Sequence, residues 1–143
     1  MNIHQISVFL ENRTGQLAEI TRLLADKDVD IRAVSIAETA DYGLVRMIVD
    51  DCHKASGILL EHGDILSMTP VWAVEVPDRP AGLADVLSVL AENHVDVEYM
   101  YSLFTHREGC AYMVMKINDE PRFLSTLGDH GIKLMSMGDL GLK

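Results

Sequence analysis

Two stretches decide the fold: Gln5-Ile-Ser-Val-Phe-Leu-Glu-Asn-Arg-Thr-Gly-Gln-Leu17 and Val71-Trp-Ala-Val-Glu-Val-Pro-Asp-Arg-Pro-Ala-Gly-Leu83, offset by 66 positions (83 minus 17). Ile6, Val8 and Leu10 alternate along the first and Trp72, Val74 and Val76 along the second, the period of a strand with one buried face. Immediately afterwards the period changes. Leu83, Val86, Leu87 and Leu90 fall at i, i+3, i+4 and i+7, and Leu17, Ile20, Thr21 and Leu24 occupy the matching places, so each strand leads into an amphipathic helix. Asn12, Thr14 and Asp78 can accept hydrogen bonds from the free N–H groups at the helix starts. Pro80 suits a first-turn position that lacks a hydrogen-bond partner.

The same offset carries Arg13 onto Arg79, Val29-Asp30-Ile31 onto Val95-Asp96-Val97, Gly43 onto Gly109 and Met47 onto Met113, with no gap expected before the second helices. A repeat of this length means a duplicated structural unit. Downstream in the first copy the pattern predicts a strand near residues 31–38, a turn at Asp41-Tyr42-Gly43 and a strand over 44–50 with Val45, Met47 and Val49 on one face. A helix near Cys52 to Glu61, stopped by Gly63, and a last strand at 65–68 complete the unit. The order is βαββαβ, the split βαβ or ferredoxin-like arrangement. The expected class is therefore α+β: two such modules in tandem, residues 1–69 and 70–143, each an antiparallel sheet with both helices on one face and the other face free. Pro70 is the sole punctuation between them, so they are expected to pack as one rigid body without a flexible linker.

Composition removes several classes of function. Twelve basic residues against 22 acidic ones give a net charge of −10, which repels a phosphate backbone. Nucleic acid is not an expected partner. The N-terminal segment is too short and polar for a signal peptide, and no apolar run approaches the ~20 residues of a membrane span; the expectation is a soluble, cytoplasmic protein with no membrane partner. Cys52 and Cys110 form no C-x-x-C pattern and read as small buried or half-buried apolar residues. The six histidines are scattered, and Cys52-His53 with His62 is a poor candidate for a metal site. Met100, Met113, Met115, Met135 and Met137 read as core filling, and Tyr99 and Tyr101 share one strand face. No phosphate loop, G-x-S-x-G or paired acid and base is recognisable. Neither an enzyme nor a cofactor is expected.

The residues that open each repeat resemble those of an ACT domain: a strand, an acidic or amide residue, a basic residue, then Pro-Gly-x-Leu at the entrance to the first helix. The first copy has Asn12-Arg13-Thr14-Gly15-Gln16-Leu17; the second has Asp78-Arg79-Pro80-Ala81-Gly82-Leu83, with alanine in the usual glycine place and glycine one position late. The resemblance covers nearly the whole chain, and is to small tandem ACT proteins without an attached enzyme. It implies a non-catalytic regulatory protein that binds a free amino acid at module interfaces and changes how it engages a protein partner. The alternative is a structural or interaction module with vestigial pockets.

An amino acid needs an anion site, acceptors for its ammonium and a shaped wall. The N–H groups at the start of the first helix supply the anion site, and Gly15, read as a first-turn position, lets the anion approach closely. Asn12 and Asp78 are acceptors as well as helix caps. Asp30 and Asp96, with Ile31 beside the first, stand at the entrance to the second strand, where a turn-forming role competes with ligand binding. Leu17 and Leu83 offer an apolar wall, while Arg13 and Arg79 read first as solvated surface residues. Exposed sheet edges point to a homodimer.

Overall fold

The computed structural model describes residues 2–11, 13–38 and 41–143. The elements run β1 (Ile3–Leu10), α1 (Gln16–Asp26), β2 (Ile31–Glu38), β3 (Gly43–Val49), α2 (Cys52–Glu61), β4 (Leu66–Pro77), α3 (Gly82–Glu92), β5 (Val97–Ser102), β6 (Cys110–Ile117), α4 (Glu120–Asp129) and β7 (Leu134–Met135). Two compact units result: His4–Pro70 with Gly141–Lys143, and Val71–Leu140 with Asn2 and Ile3. The first is called the N-terminal module below, the second the C-terminal module.

In the N-terminal module β3 pairs antiparallel with both β1 and β2, and the Phe9 N–H donates to the Ile65 carbonyl at 2.9 Å. The alternation that predicted β1 sends Ile6, Val8 and Leu10 to one side, where they meet Val45, Met47 and Val49 of β3, Ile20 and Leu24 of α1, and Cys52, Ala55 and Leu59 of α2. In the C-terminal module β4 pairs antiparallel with β6 and β7, and β6 with β5. Trp72, Val74 and Val76 pack there with Val86 and Leu90 of α3, and Phe123 and Leu127 of α4. Both helices of each module therefore contribute to the core on one sheet face. Met113 and Met115 lie on that face and Met100 packs beside them, so these methionines fill the core.

Several expectations are corrected. The opposite sheet face also carries buried residues: Gln5, Ser7, Ala33 and Ile48 in the N-terminal module, and Val71, Ala73, Tyr112 and Val114 in the C-terminal one. The signal was present in unbroken apolar runs such as Met47-Ile48-Val49 and Val71-Trp72-Ala73-Val74, which mark strands buried on both faces. Pro70 does not interrupt the chain. A single strand, β4, runs through it, because a proline φ near −65° is compatible with extended backbone even though it donates no hydrogen bond.

The repeat offset also changes. Val34 faces Met47 and Met100 faces Met115, so the offset is 66 in the second strand (100 minus 34) and 68 in the third (115 minus 47). Gly43 therefore matches Ala111, and Met47 matches Met115. The two additional residues lie between the second and third strands of the C-terminal module. Beyond them the offset of 68 persists, through the Asp51 and Asp119 caps of α2 and α4, which accept from Lys54 N–H at 3.2 Å and Arg122 N–H at 3.1 Å.

Candidate functional site

The register of the first sheet brings the site together. Leu10 of β1 and Glu38 of β2 both face Gly43 of β3, which places the ends of two strands and the start of a third in one row. Since α1 follows β1 directly, its N-terminus comes to the same end. A cavity of about 280 Å³ lies there, bounded by Leu10, Glu11, Arg13, Gly15, Gln16, Leu17, Ile36, Glu38, Tyr42 and Gly43. Its size is just below that of pockets for drug-sized molecules. Four residues expected from sequence line it: Arg13, Gly15, Gln16 and Leu17. Glu11, Ile36, Glu38 and Tyr42 were not anticipated, and only strand register could have revealed them.

The start of α1 differs from the expectation. Gly15 is its N-cap with φ +85°, in the left-handed region, and no side chain caps the helix. Thr14 is exposed ahead of it, and Asn12 lies outside the described residues. Gln16, the first helical residue, is 7% exposed, and its Oε1 is buried with no hydrogen-bond partner. An unpaired buried acceptor costs roughly 1–3 kcal/mol.

Arg13 sits within a charged chain. Its guanidinium donates to Glu19 at 3.1 Å, and the other Glu19 oxygen meets His62 Nε2 at 3.2 Å. His62 Nδ1 in turn lies 2.8 Å from Asp64. The Arg13 hydrogen bond holds the Glu19 carboxyl below its usual range, and the hydrogen bond to Asp64 raises His62. Near the cavity Tyr42 stacks on Phe9 with ring centroids 4.5 Å apart.

Asp30 and Ile31 lie elsewhere. The 11 residues of α1 carry the chain about 16 Å from the cavity. Asp50 Oδ1 accepts there from the Asp30 N–H at 2.9 Å, and Asp30 Oδ2 pairs with Arg32 at 3.2 Å. Ile31 packs on the core. Asp96 is the counterpart in the C-terminal module, its N–H donating to Asn118 Oδ1 at 2.9 Å. Both aspartates organise the turn into the second strand.

The second loop differs in chemistry. Ala81 is the N-cap of α3 at φ +69°, again left-handed and without a side-chain cap, so Asp78 does not cap the helix. Pro80 precedes the helix rather than entering its first turn. Arg79 pairs with Asp85 at 3.4 Å, the counterpart of the Arg13–Glu19 pair. Leu83 is 39% exposed. Gly82 is buried, and a Cβ there would collide with the Pro77 carbonyl oxygen and lie 2.9 Å from its carbon. The start of α3 is thus closed onto the end of β4. By the offset of 66, Pro77 replaces Glu11, Gly82 replaces Gln16 and Ser102 replaces Ile36.

A different cavity in the C-terminal module is bordered by Glu75, Cys110, His130 and Lys133. Arg107 grips Glu75 with two hydrogen bonds, at 3.2 and 2.7 Å, which lowers the Glu75 carboxyl. Burial raises the Cys110 thiol, and also that of Cys52. Among the described residues no group of three or more His, Cys, Asp or Glu is placed to hold a metal. No helix among them is long and apolar enough to cross a membrane.

Two βαββαβ modules with helices on one sheet face and a cavity at a helix start define a tandem α+β protein of ferredoxin-like type. The chain belongs to the ACT domain family: a family model described as an ACT domain pair matches residues 1–134. Among solved structures it is similar to protein BT0572 from Bacteroides thetaiotaomicron, with 34% identity over 99% of this chain and 96% of that one, and a TM-score of 0.90. The ligand-free regulatory subunit of aspartate kinase from Thermus thermophilus shares the fold at 15% identity, covering 90% of this chain and 91% of that one with a TM-score of 0.66. The corresponding subunit from Thermus flavus does so at 14% identity, with 92% of each chain covered and a TM-score of 0.61. No curated protein sequence matches the chain.

Proposed function

We propose that the protein is a non-catalytic regulator that binds a free amino acid in the N-terminal module and responds by changing its engagement of a protein partner. The observation that carries this reading is Gln16: a residue only 7% exposed in the wall of a small cavity, with its side-chain carbonyl oxygen buried and unpaired. Around it stand the groups an amino acid requires. The first N–H groups of α1 and the Arg13 guanidinium suit the carboxylate, Glu11 and Glu38 suit the ammonium, and Leu10, Leu17 and Ile36 form an apolar wall. Membership of the ACT family and the likeness to regulatory subunits of aspartate kinase support a regulatory role. The reading includes a cytoplasmic location and a homodimer, the latter to be checked by light scattering.

The closed helix start at Gly82 favours the vestigial-pocket reading for the C-terminal module alone. The test is a thermal-shift screen of the full chain against the twenty amino acids. A ligand at 100 times its dissociation constant stabilises by about 2.7 kcal/mol, so at least one amino acid is expected to raise the melting temperature. A screen with no shift at millimolar concentration overturns the reading.

A further inference from the structure

The proposed amino-acid site has an uneven balance of donors and acceptors, and that balance names a ligand class. Resting on the reading that this cavity binds an amino acid, we infer that it selects a diamino monocarboxylic acid, one whose side chain ends in a cation, such as lysine, ornithine or arginine. Glu11 and Glu38 both line the cavity. Ionised carboxylates only accept hydrogen bonds, and neither has a cationic partner among the described residues. Against these two carboxylates the lining offers one cation, Arg13, already committed on one side to Glu19 at 3.1 Å.

A neutral amino acid brings one cation to two carboxylates and leaves the second uncompensated as the cavity fills. A diamino acid brings two. Its single carboxylate meets Arg13 and the α1 amides, and its aliphatic stem runs along Leu17, Ile36 and Tyr42. A side chain ending in a carboxylate meets like charge and is rejected. The C-terminal module has Pro77 and Gly82 in place of Glu11 and Gln16, so it lacks these acceptors. The chain takes up one ligand.

Titration calorimetry on the full chain with lysine, norleucine and glutamate tests this, since norleucine keeps the stem of lysine and lacks its terminal ammonium. Lysine is expected to bind at one site per chain, at least tenfold tighter than norleucine, and glutamate not at all. Both acidic positions are exposed, so the double variant Glu11→Gln/Glu38→Gln should remain folded by circular dichroism and bind lysine no better than norleucine. Norleucine or leucine binding the wild type as tightly as lysine would overturn the selectivity while leaving an amino-acid site in place. Two equivalent lysine sites per chain, or a double variant that keeps its preference for lysine, would also overturn it. Absence of binding by any of the twenty amino acids would remove the broader reading instead.

Discussion

Replacing Gly82 by alanine separates two reasons for glycine at the helix starts. Gly82 has ordinary helical backbone, since it is absent from the positive-φ positions, so alanine suffers no dihedral strain there. The obstacle is steric: the new Cβ would overlap the Pro77 carbonyl oxygen, with the carbonyl carbon at 2.9 Å and the Pro77 Cβ at 3.3 Å. A backbone carbonyl at a strand end cannot rotate aside like a flexible side chain, so α3 and β4 must separate. Overpacking of this kind costs about 1–3 kcal/mol, and a backbone obstacle puts Gly82→Ala near the top, at about 3 kcal/mol. Gly15 presents the reverse case. Its φ is +85° and no atom stands within 4 Å of an added Cβ, so Gly15→Ala pays for left-handed strain alone, about 1–2 kcal/mol. Ala81→Gly relieves similar strain at φ +69°, but the flexibility of glycine in the unfolded chain offsets about 0.5–1 kcal/mol, leaving it near wild type. Urea unfolding followed by circular dichroism reads these differences as midpoints. At a slope of about 2 kcal/mol per molar urea, Gly82→Ala should move the midpoint down by about 1.5 M and Gly15→Ala by roughly half as much. A Gly82→Ala variant no less stable than Gly15→Ala would refute the clamp at the start of α3.

The histidine in the charged chain gives a pH dependence of definite sign. The hydrogen bond to Asp64, its charge, and then Glu19 raise the His62 pKa in the folded state. The stabilisation is therefore fully present below the unfolded value of about 6.5 and fades as pH rises through the higher folded value. Thermal melts from pH 5.5 to 8.5 should fall more steeply above pH 6.5 for wild type than for His62→Gln, and parallel curves would dismiss the coupling. In the C-terminal core Phe123 is fully buried and its ring lies 5.8 Å from that of Trp72, tilted by 45°. Phe123→Ala should cost about 3–5 kcal/mol, read as a lower denaturant midpoint with unchanged slope.

Periodicity made the architecture legible. Ile6, Val8 and Leu10 alternate because a strand sends successive side chains to opposite faces, and Leu83, Val86, Leu87 and Leu90 follow the helical turn. These are local rules that act within a few residues, and the repeat states them twice. The same local reading could not measure the separation of Asp30 from Gly15, a helix length in space. It also treated Gly15 as an ordinary first-turn residue, because a sequence shows the identity of a glycine and not its φ.

Spacing and repetition along the chain were enough for the order βαββαβ, its duplication, the helix-lined cores and the loop Arg13-Thr14-Gly15-Gln16-Leu17 as a candidate site. That Glu11 and Glu38 border one cavity emerges with the folded sheet, since their approach depends on the pairing of Leu10 and Glu38 with Gly43 across three strands. The unpaired Gln16 oxygen and the hold of Gly82 against Pro77 emerge in the same way. Periodicity fixes which face a residue takes, but register and close packing fix which distant residues meet, and the chemistry of this site arises from those meetings.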